Sequence, residues 1–299
     1  MSHRSDRGEL VLNGVLSARV GAFVAALSAF LLVGCEGQVT VDLMSAPPAD
    51  PQVQEVVVTL AGVEFRRSGG DTRRLEFTEP ELVDLMEVAD GDAFRLFTDE
   101  ELPEGTYTGI RLILEDDDNG FVTLLNGTEF PLIPAEGEYA DINFSIEDDE
   151  DSDEFLTLTI ELRQSLRFDD DQDEYSLVPV LRSVSSDDAG QISGVIAAAC
   201  PQGGSLLEGG AVYLFTGRDV TPDDVDGAAP EPYASTVAVL DTAGATFGYF
   251  LDAVPAGEYT IALTCEGHED DPTANDDLRF VGVANIELER RESLLHDIE

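Results

Sequence analysis

The groups able to do chemistry in this chain of 299 residues are nearly all carboxylates: 62 Asp and Glu stand against 16 basic residues and three histidines. Every basic residue is an arginine. Without lysine there is no Schiff base, no Ser-Lys dyad and no P-loop. His3 falls in an N-terminal leader, while His268 lies in an acidic loop and His296 near the C-terminus; neither has a second histidine or a cysteine at zinc-ligand spacing. The Gly-Xaa-Ser-Xaa-Gly elbow of serine hydrolases is also missing. Composition permits a carboxylate pair of the glycosidase kind, but the acids gather in loops that lack the apolar walls needed to raise a carboxyl pKa. Calcium fits the spacing better. Asp116, Asp118 and Gly120 take the first alternate positions of a calcium loop, as do Asp169, Asp171 and Asp173, and a hard cation collects about 6 to 8 oxygens in this way. In both runs the twelfth position, Gly127 or Val180, lacks the bidentate glutamate of an EF-hand, so a solvated acidic loop remains the alternative to a calcium site.

The formal charge of −46 repels nucleic acid and anionic lipid head groups, which leaves cations and basic protein surfaces as partners. A lysine-free, acid-rich chain also resembles exported proteins of salt-loving or marine bacteria, in which a Debye length of about 3 Å at 1 M salt removes most self-repulsion.

Around these groups the chain is written in strands. "QVTVDL", "EVVVTLAGVEF", "FVTLLNGTEFPLI" with its Asn126-Gly127 hairpin cue, "EYADINFSI", "FLTLTIEL" and "EYSLVPVL" run to about residue 186. "EPELVDLMEV" reads as a turn of helix opening at Pro80. After a junction at "SSDDAG" (Ser185 to Gly190), a second run follows: "QISGVIAAAC", "AVYLF", "STVAVL", "TFGYFL", "EYTIALTC" and "VANIEL", with "GRDVTPDDVDGAAPEPY" as its longest loop. One phrase occurs in both runs, "LPEGTY" and "VPAGEY". Pro and Gly suit the second and fourth positions of a type I turn, so each copy delivers the chain into a strand led by tyrosine. After Tyr107 the apolar parity slips by one residue at Gly109, as a β-bulge would cause; after Tyr259 it does not.

At the N-terminus, Arg4, Arg7 and Arg19 precede the apolar run Val20 to Val33, which is shorter than the roughly 20 residues of a membrane span and reads as an export signal. "LLVGC" (Leu31 to Cys35) resembles the lipobox of bacterial lipoproteins. The resemblance implies cleavage after residue 34 and lipid on Cys35; an ordinary secretory signal and an uncleaved anchor are the alternatives. Glu36 in place of aspartate favours the outer over the inner membrane, so the expected location is the cell envelope. "VTVDLMSAPP", "VVVTLAGVEF", "LPEGTYTGIRLIL", "LTIELRQSLRF" and "YSLVPVLRSV", in that order, resemble the domain-of-unknown-function family 4382 of bacterial lipoproteins over about residues 36–186. Ser45 stands where such domains carry an aspartate. "ISGVI" and "TFGYFLDAVPAGEYTIAL" resemble prealbumin-like or carboxypeptidase-regulatory-like sandwich modules, here over residues 191–299. These resemblances imply an all-β chain of two tandem β-sandwich domains behind a signal peptide, and no activity.

With Cys35 given to lipid, Cys200 and Cys265 are the remaining cysteines, and export puts them in an oxidising compartment. Ile192, Ile196, Ala198 and Cys200 share one strand face, and Tyr259, Ile261, Leu263 and Cys265 another, so a disulfide is expected, with two buried free thiols as the alternative. The functional expectation is a non-enzymatic binding or structural module for a protein or glycan partner, needing no cofactor. A calcium-dependent binding module and, more distantly, a carboxylate glycosidase stand as alternatives.

Overall fold

A computed structural model of the chain describes residues 36–89, 93–115, 119–147, 153–201, 204–241 and 246–299. The first half contains β1 (Glu36–Ala46), β2 (Val53–Arg67), β3 (Thr72–Asp84), β4 (Phe94–Pro103), β5 (Gly105–Leu114), β6 (Phe121–Leu124), β7 (Glu129–Pro134), β8 (Ala140–Ile146) and β9 (Glu154–Glu161). A single helical turn, α1 (Leu162–Ser165), leads into β10 (Leu166–Asp169), β11 (Glu174–Leu177) and β12 (Leu181–Ser185). One sheet runs β12-β9-β1-β4 with β1 and β9 parallel, and the other runs β10-β11-β7-β6-β2-β5-β8 with β3 on the far side of β2. Alternate residues of the facing strands, among them Val39, Val41 and Leu43 of β1, Leu156, Leu158 and Ile160 of β9, and Val63 and Phe65 of β2, bury into one apolar core between the sheets.

The second half has β13 (Ala189–Ile196), the turn α2 (Leu206–Gly209), β14 (Ala211–Thr216), β15 (Ala234–Val237), β16 (Val239–Asp241), β17 (Thr246–Pro255), β18 (Gly257–Thr264), β19 (Phe280–Leu288) and β20 (Ser293–Leu295). Its sheets run β16-β17-β13-β20 and β15-β14-β18-β19. Ile192, Val212, Leu214, Ile261 and Leu263 fill the space between them. β14 reads as an unbroken apolar run because both of its faces are covered: Val212 and Leu214 face this core, while Ala211, Tyr213 and Phe215 join Val225, Ala262 and Phe280 in a smaller cluster. Among the described residues no ladder joins a strand of one half to a strand of the other, yet the two halves form one compact unit. The junction is a tight turn in which the Asp188 amide donates to the Ser185 carbonyl at 2.9 Å.

The repeated phrase has a physical explanation. Tyr107 and Tyr259 are both buried, and each hydroxyl donates to the carbonyl of the proline four residues back, Pro103 and Pro255, at 2.7 Å. This tyrosine corner ties the end of one strand to the start of the next. The parity slip at Gly109 is a bulge of β5 against β2: Tyr107 and Gly109 face the consecutive residues Arg67 and Arg66, which leaves Thr108 without an opposite number. β18 keeps its alternation, and the irregularity there falls on its partner β19, where the positions facing Ile261 and Leu263 are Ala284 and Val281.

Residues 79–84 do not form the expected helical turn. They end β3, and residues 77–80 sit opposite Ala61 where the β2–β3 register jumps from Gly62–Glu76 to Leu60–Glu81, so Pro80 occupies a bulge that asks no ladder hydrogen bond of it.

Candidate functional site

Asp169, Asp171 and Asp173 lie on the exposed hairpin turn between β10 and β11. Asp169 Oδ1 accepts the amides of Asp171 at 2.9 Å and Gln172 at 3.2 Å, so this carboxylate caps its own turn. Asp116, Asp118 and Cys35 lie outside the described residues. The described acids whose oxygens converge are three others, Asp224, Asp270 and Asp276, from the two loops that cover the outer face of β14 and β18.

Cys200 and Cys265 are joined by a disulfide, with Cα atoms 5.8 Å apart. β13 already ends at Ile196, so Cys200 reaches its partner from a loop and not from a continuing strand face. The bond fixes residues 197–201 to the start of the 266–279 loop. At the base of that loop Arg279 pairs with Glu266, and the Gly267 amide donates to the Gly209 carbonyl at 2.8 Å.

Charged side chains cross between the halves. Glu161, at the end of β9 and 1% exposed, accepts from Arg182 Nε at 2.7 Å and from the Ser235 amide at 3.2 Å. Arg182 also donates to the Ala253 carbonyl at 2.5 Å. Burial pushes the Glu161 carboxyl up, against the pull of Arg182. Arg163 in α1, 1% exposed, donates to the Gly267 carbonyl, lies 3.5 Å from Asp270 Oδ2 and stacks 5.2 Å from the centre of the Tyr213 ring. The Tyr213 hydroxyl donates to Asp270. Buried charges of this kind persist only when paired. Nothing in "ELRQSL" announces the pairing, because the partners of Glu161 and Arg163 lie 21 to 107 positions further along the chain.

Above Arg163 the junction opens into a groove of about 250 Å³. Pro47, Pro48 and Pro51 of the β1–β2 connection form one wall; Leu206, Leu207 and Ala238 form the other, with His268 at the edge. Leu207 is 71% exposed. Mostly apolar walls over a few fixed polar groups are the usual make-up of a binding cleft. Glu161 lines a neighbouring, more open cleft with Glu231. Glu161 and Glu231 are both engaged in holding backbone: Glu161 holds the Ser235 amide, and Glu231 accepts the amides of Gly227 at 2.6 Å and Asp226 at 3.2 Å.

Residues 36–179 match the DUF4382 family, a domain of unknown function. No curated protein matches the chain. Among solved structures, the TIE protein of Bacillus anthracis aligns at 10% identity and a TM-score of 0.21, covering 88% of this chain and 34% of its own. The chain thus spans about a third of that protein. A candidate adhesin from Bacteroides ovatus aligns at 9% identity and a TM-score of 0.21 over 88% of this chain and 87% of its own. A candidate polysaccharide-binding protein (DUF1812) from Bacteroides thetaiotaomicron aligns at 11% identity and a TM-score of 0.19 over 87% and 90%.

Proposed function

We propose that this protein is a non-enzymatic envelope lipoprotein that holds a partner protein in the groove between its two sandwiches. The observation that carries the reading is the groove itself: proline and aliphatic walls, an exposed Leu207 at the rim and, among the described residues of the lining, no Phe, Tyr or Trp on which a sugar ring could stack. The charge of −46 adds a preference for a basic partner surface. Lipid on Cys35 would anchor the module, and outer-membrane residence follows from Glu36. β1 begins at Glu36, so a lipidated Cys35 would hold that end of the first sandwich about one residue length, roughly 3.5 Å, from the anchor.

A photo-crosslinking residue at position 207, with a control at exposed Leu295, tests the reading in native envelopes. One discrete protein captured from 207 and not from 295, with affinity lowered at least tenfold by Leu207→Glu in purified components, is the expected result. Glycan binding that Leu207→Glu leaves unchanged, or glycan turnover by the purified chain, would replace it. The anchor is tested separately: Cys35→Ser should release the protein from membranes.

A further inference from the structure

Two loops cover the outer face of the β14–β18 ladder: residues 217–233, between β14 and β15, and residues 265–279, between β18 and β19. Both are held in place. Thr260 donates to the Gly217 carbonyl at 2.9 Å, Asn285 exchanges hydrogen bonds with Asp219 at 2.7 and 2.8 Å, and Arg279 closes the second loop on Glu266. Where they meet, Asp224, Asp270 and Asp276 each bring one carboxylate oxygen to within 4.8 Å of the others.

These oxygens are not equally satisfied. Asp270 accepts the Val225 amide at 3.0 Å through Oδ1 and the Tyr213 hydroxyl through Oδ2, beside Arg163. Asp276 Oδ2 accepts the Asp271 amide at 2.7 Å. Asp224 is 1% exposed; its Oδ2 accepts the Asp276 amide at 2.5 Å, and its Oδ1 has no donor at all. An ionised oxygen buried with no partner is too costly to be left so in a folded protein. Asp223 adds a fourth carboxylate beside them, its Oδ1 accepting the Asp224 amide at 3.3 Å. Among the described residues Arg163 is the one cation paired with these acids, and it already serves the Gly267 carbonyl.

We infer that Asp224, Asp270 and Asp276 form a calcium site that binds the two loops together, with the unpartnered Asp224 Oδ1 as a ligand. The donors are all hard oxygens. A spread within 4.8 Å spans a coordination sphere of radius about 2.3–2.6 Å, as calcium requires, and is loose for magnesium at about 2.0–2.1 Å. A doubly charged ion also offsets most of the negative charge that Arg163 leaves. Backbone carbonyls and water complete the sphere. The cation would close the small apolar cluster of Tyr213, Phe215, Val225 and Phe280 and, through Asp270 and Arg163, stiffen the junction.

The test uses the full chain in detergent, stripped with a chelator and held in 1 M sodium chloride to suppress non-specific counter-ion uptake. Calcium should bind with a saturable stoichiometry of one and raise Tm by about 5 °C or more at a hundredfold excess over Kd, magnesium at least tenfold more weakly. Terbium should show emission sensitised through Tyr213 and displaced by calcium. Asp224→Asn should lower calcium affinity at least 100-fold while folding as well as the chelated parent; Asp169→Asn with Asp171→Asn should change nothing. If Asp224→Asn fails to fold, Tyr213→Phe decides, because emission that survives it would put the ion elsewhere and overturn the assignment. Absence of saturable calcium uptake by the parent chain would overturn it too. So would a stability gain on mild acidification that Asp224→Asn abolishes and calcium does not reproduce, since a proton between Asp223 and Asp224 would then supply the missing donor.

Discussion

At the scale of single residues, the carboxylates divide into two kinds by their surroundings. Glu64 on β2 is 3% exposed, and burial alone would push its carboxyl up. Hydrogen bonds from Tyr139, from Arg74 at 2.5 Å and from Arg111 at 2.6 Å outweigh that effect and hold it at about 2, against an ordinary 4.5. Its contribution is complete above pH 4.5 and is lost as pH falls toward 2, amounting to about 3 kcal/mol. Glu161, Asp270 and Glu154 are shifted the other way, chiefly by burial, so their folded forms hold protons longer than the unfolded chain does. That contribution grows as pH falls from neutral toward the ordinary carboxyl range. Thermal unfolding followed from pH 8 to pH 2 should therefore give a Tm that rises to a maximum near pH 5 and then falls. Glu64→Gln should lower stability by about 2–3 kcal/mol at pH 7 and flatten the acid limb; a parent curve that climbs steadily to pH 8 would contradict the assignment. None of this was legible in the sequence, where all these residues are equally acidic. Tyr139 sits 75 positions from Glu64, and no local pattern joins them.

At the scale of elements, the sequence was a better guide where periodicity and turn chemistry are local. The hairpin at Asn126-Gly127 has Gly127 at φ 81° and the Asn126 side chain accepting the Thr128 amide at 2.8 Å, as its dipeptide suggests. The parity slip at Gly109 marks a real bulge of β5 against β2. Pro80 misled, because a proline that could open a helix equally suits a bulge in β3, and only the pairing with β2 decides between them. Cys200 misled in a milder way: its face along β13 is moot once the strand has ended at Ile196. The repeated turn yields a prediction. Tyr107→Phe and Tyr259→Phe each remove one hydroxyl bond to a proline carbonyl while keeping the ring, so each should cost about 1 kcal/mol by chemical denaturation. Because the two rings belong to separate cores, the double variant should cost the sum to within about 0.5 kcal/mol. Should either substitution prove neutral, the turn would be held by its Pro and Gly alone.

At the scale of the whole molecule, 62 acids against 16 arginines make self-repulsion the leading long-range term, and Tm should climb from low to molar sodium chloride. A flat salt curve would mean that the ion pairs, such as Arg290 with Asp188 at 2.8 Å, already balance the charge locally. Two runs of strands with a polar junction were legible in the sequence as two sandwiches, but the traffic across that junction was not. Glu161 reaches the Ser235 amide, Arg182 the Ala253 carbonyl and Gln164 the Pro232 carbonyl at 2.9 Å, and Met44 and Val184 of one half pack against Ala253 of the other. Above all, Arg163 belongs to the first half while Asp270, its partner, belongs to the second. Separating the halves would leave Asp270 buried without its cation, and removing one partner of a buried pair costs about 3–5 kcal/mol. The two sandwiches should therefore unfold together, giving one calorimetric transition whose measured and van't Hoff enthalpies agree. Residues 186–299 made alone should melt well below the intact chain, and Arg163→Met in the intact chain should lower Tm in the same direction. Two resolved transitions, with the later one matching the melting of the isolated second half, would show instead that the junction charges are incidental and that each sandwich stands on its own core.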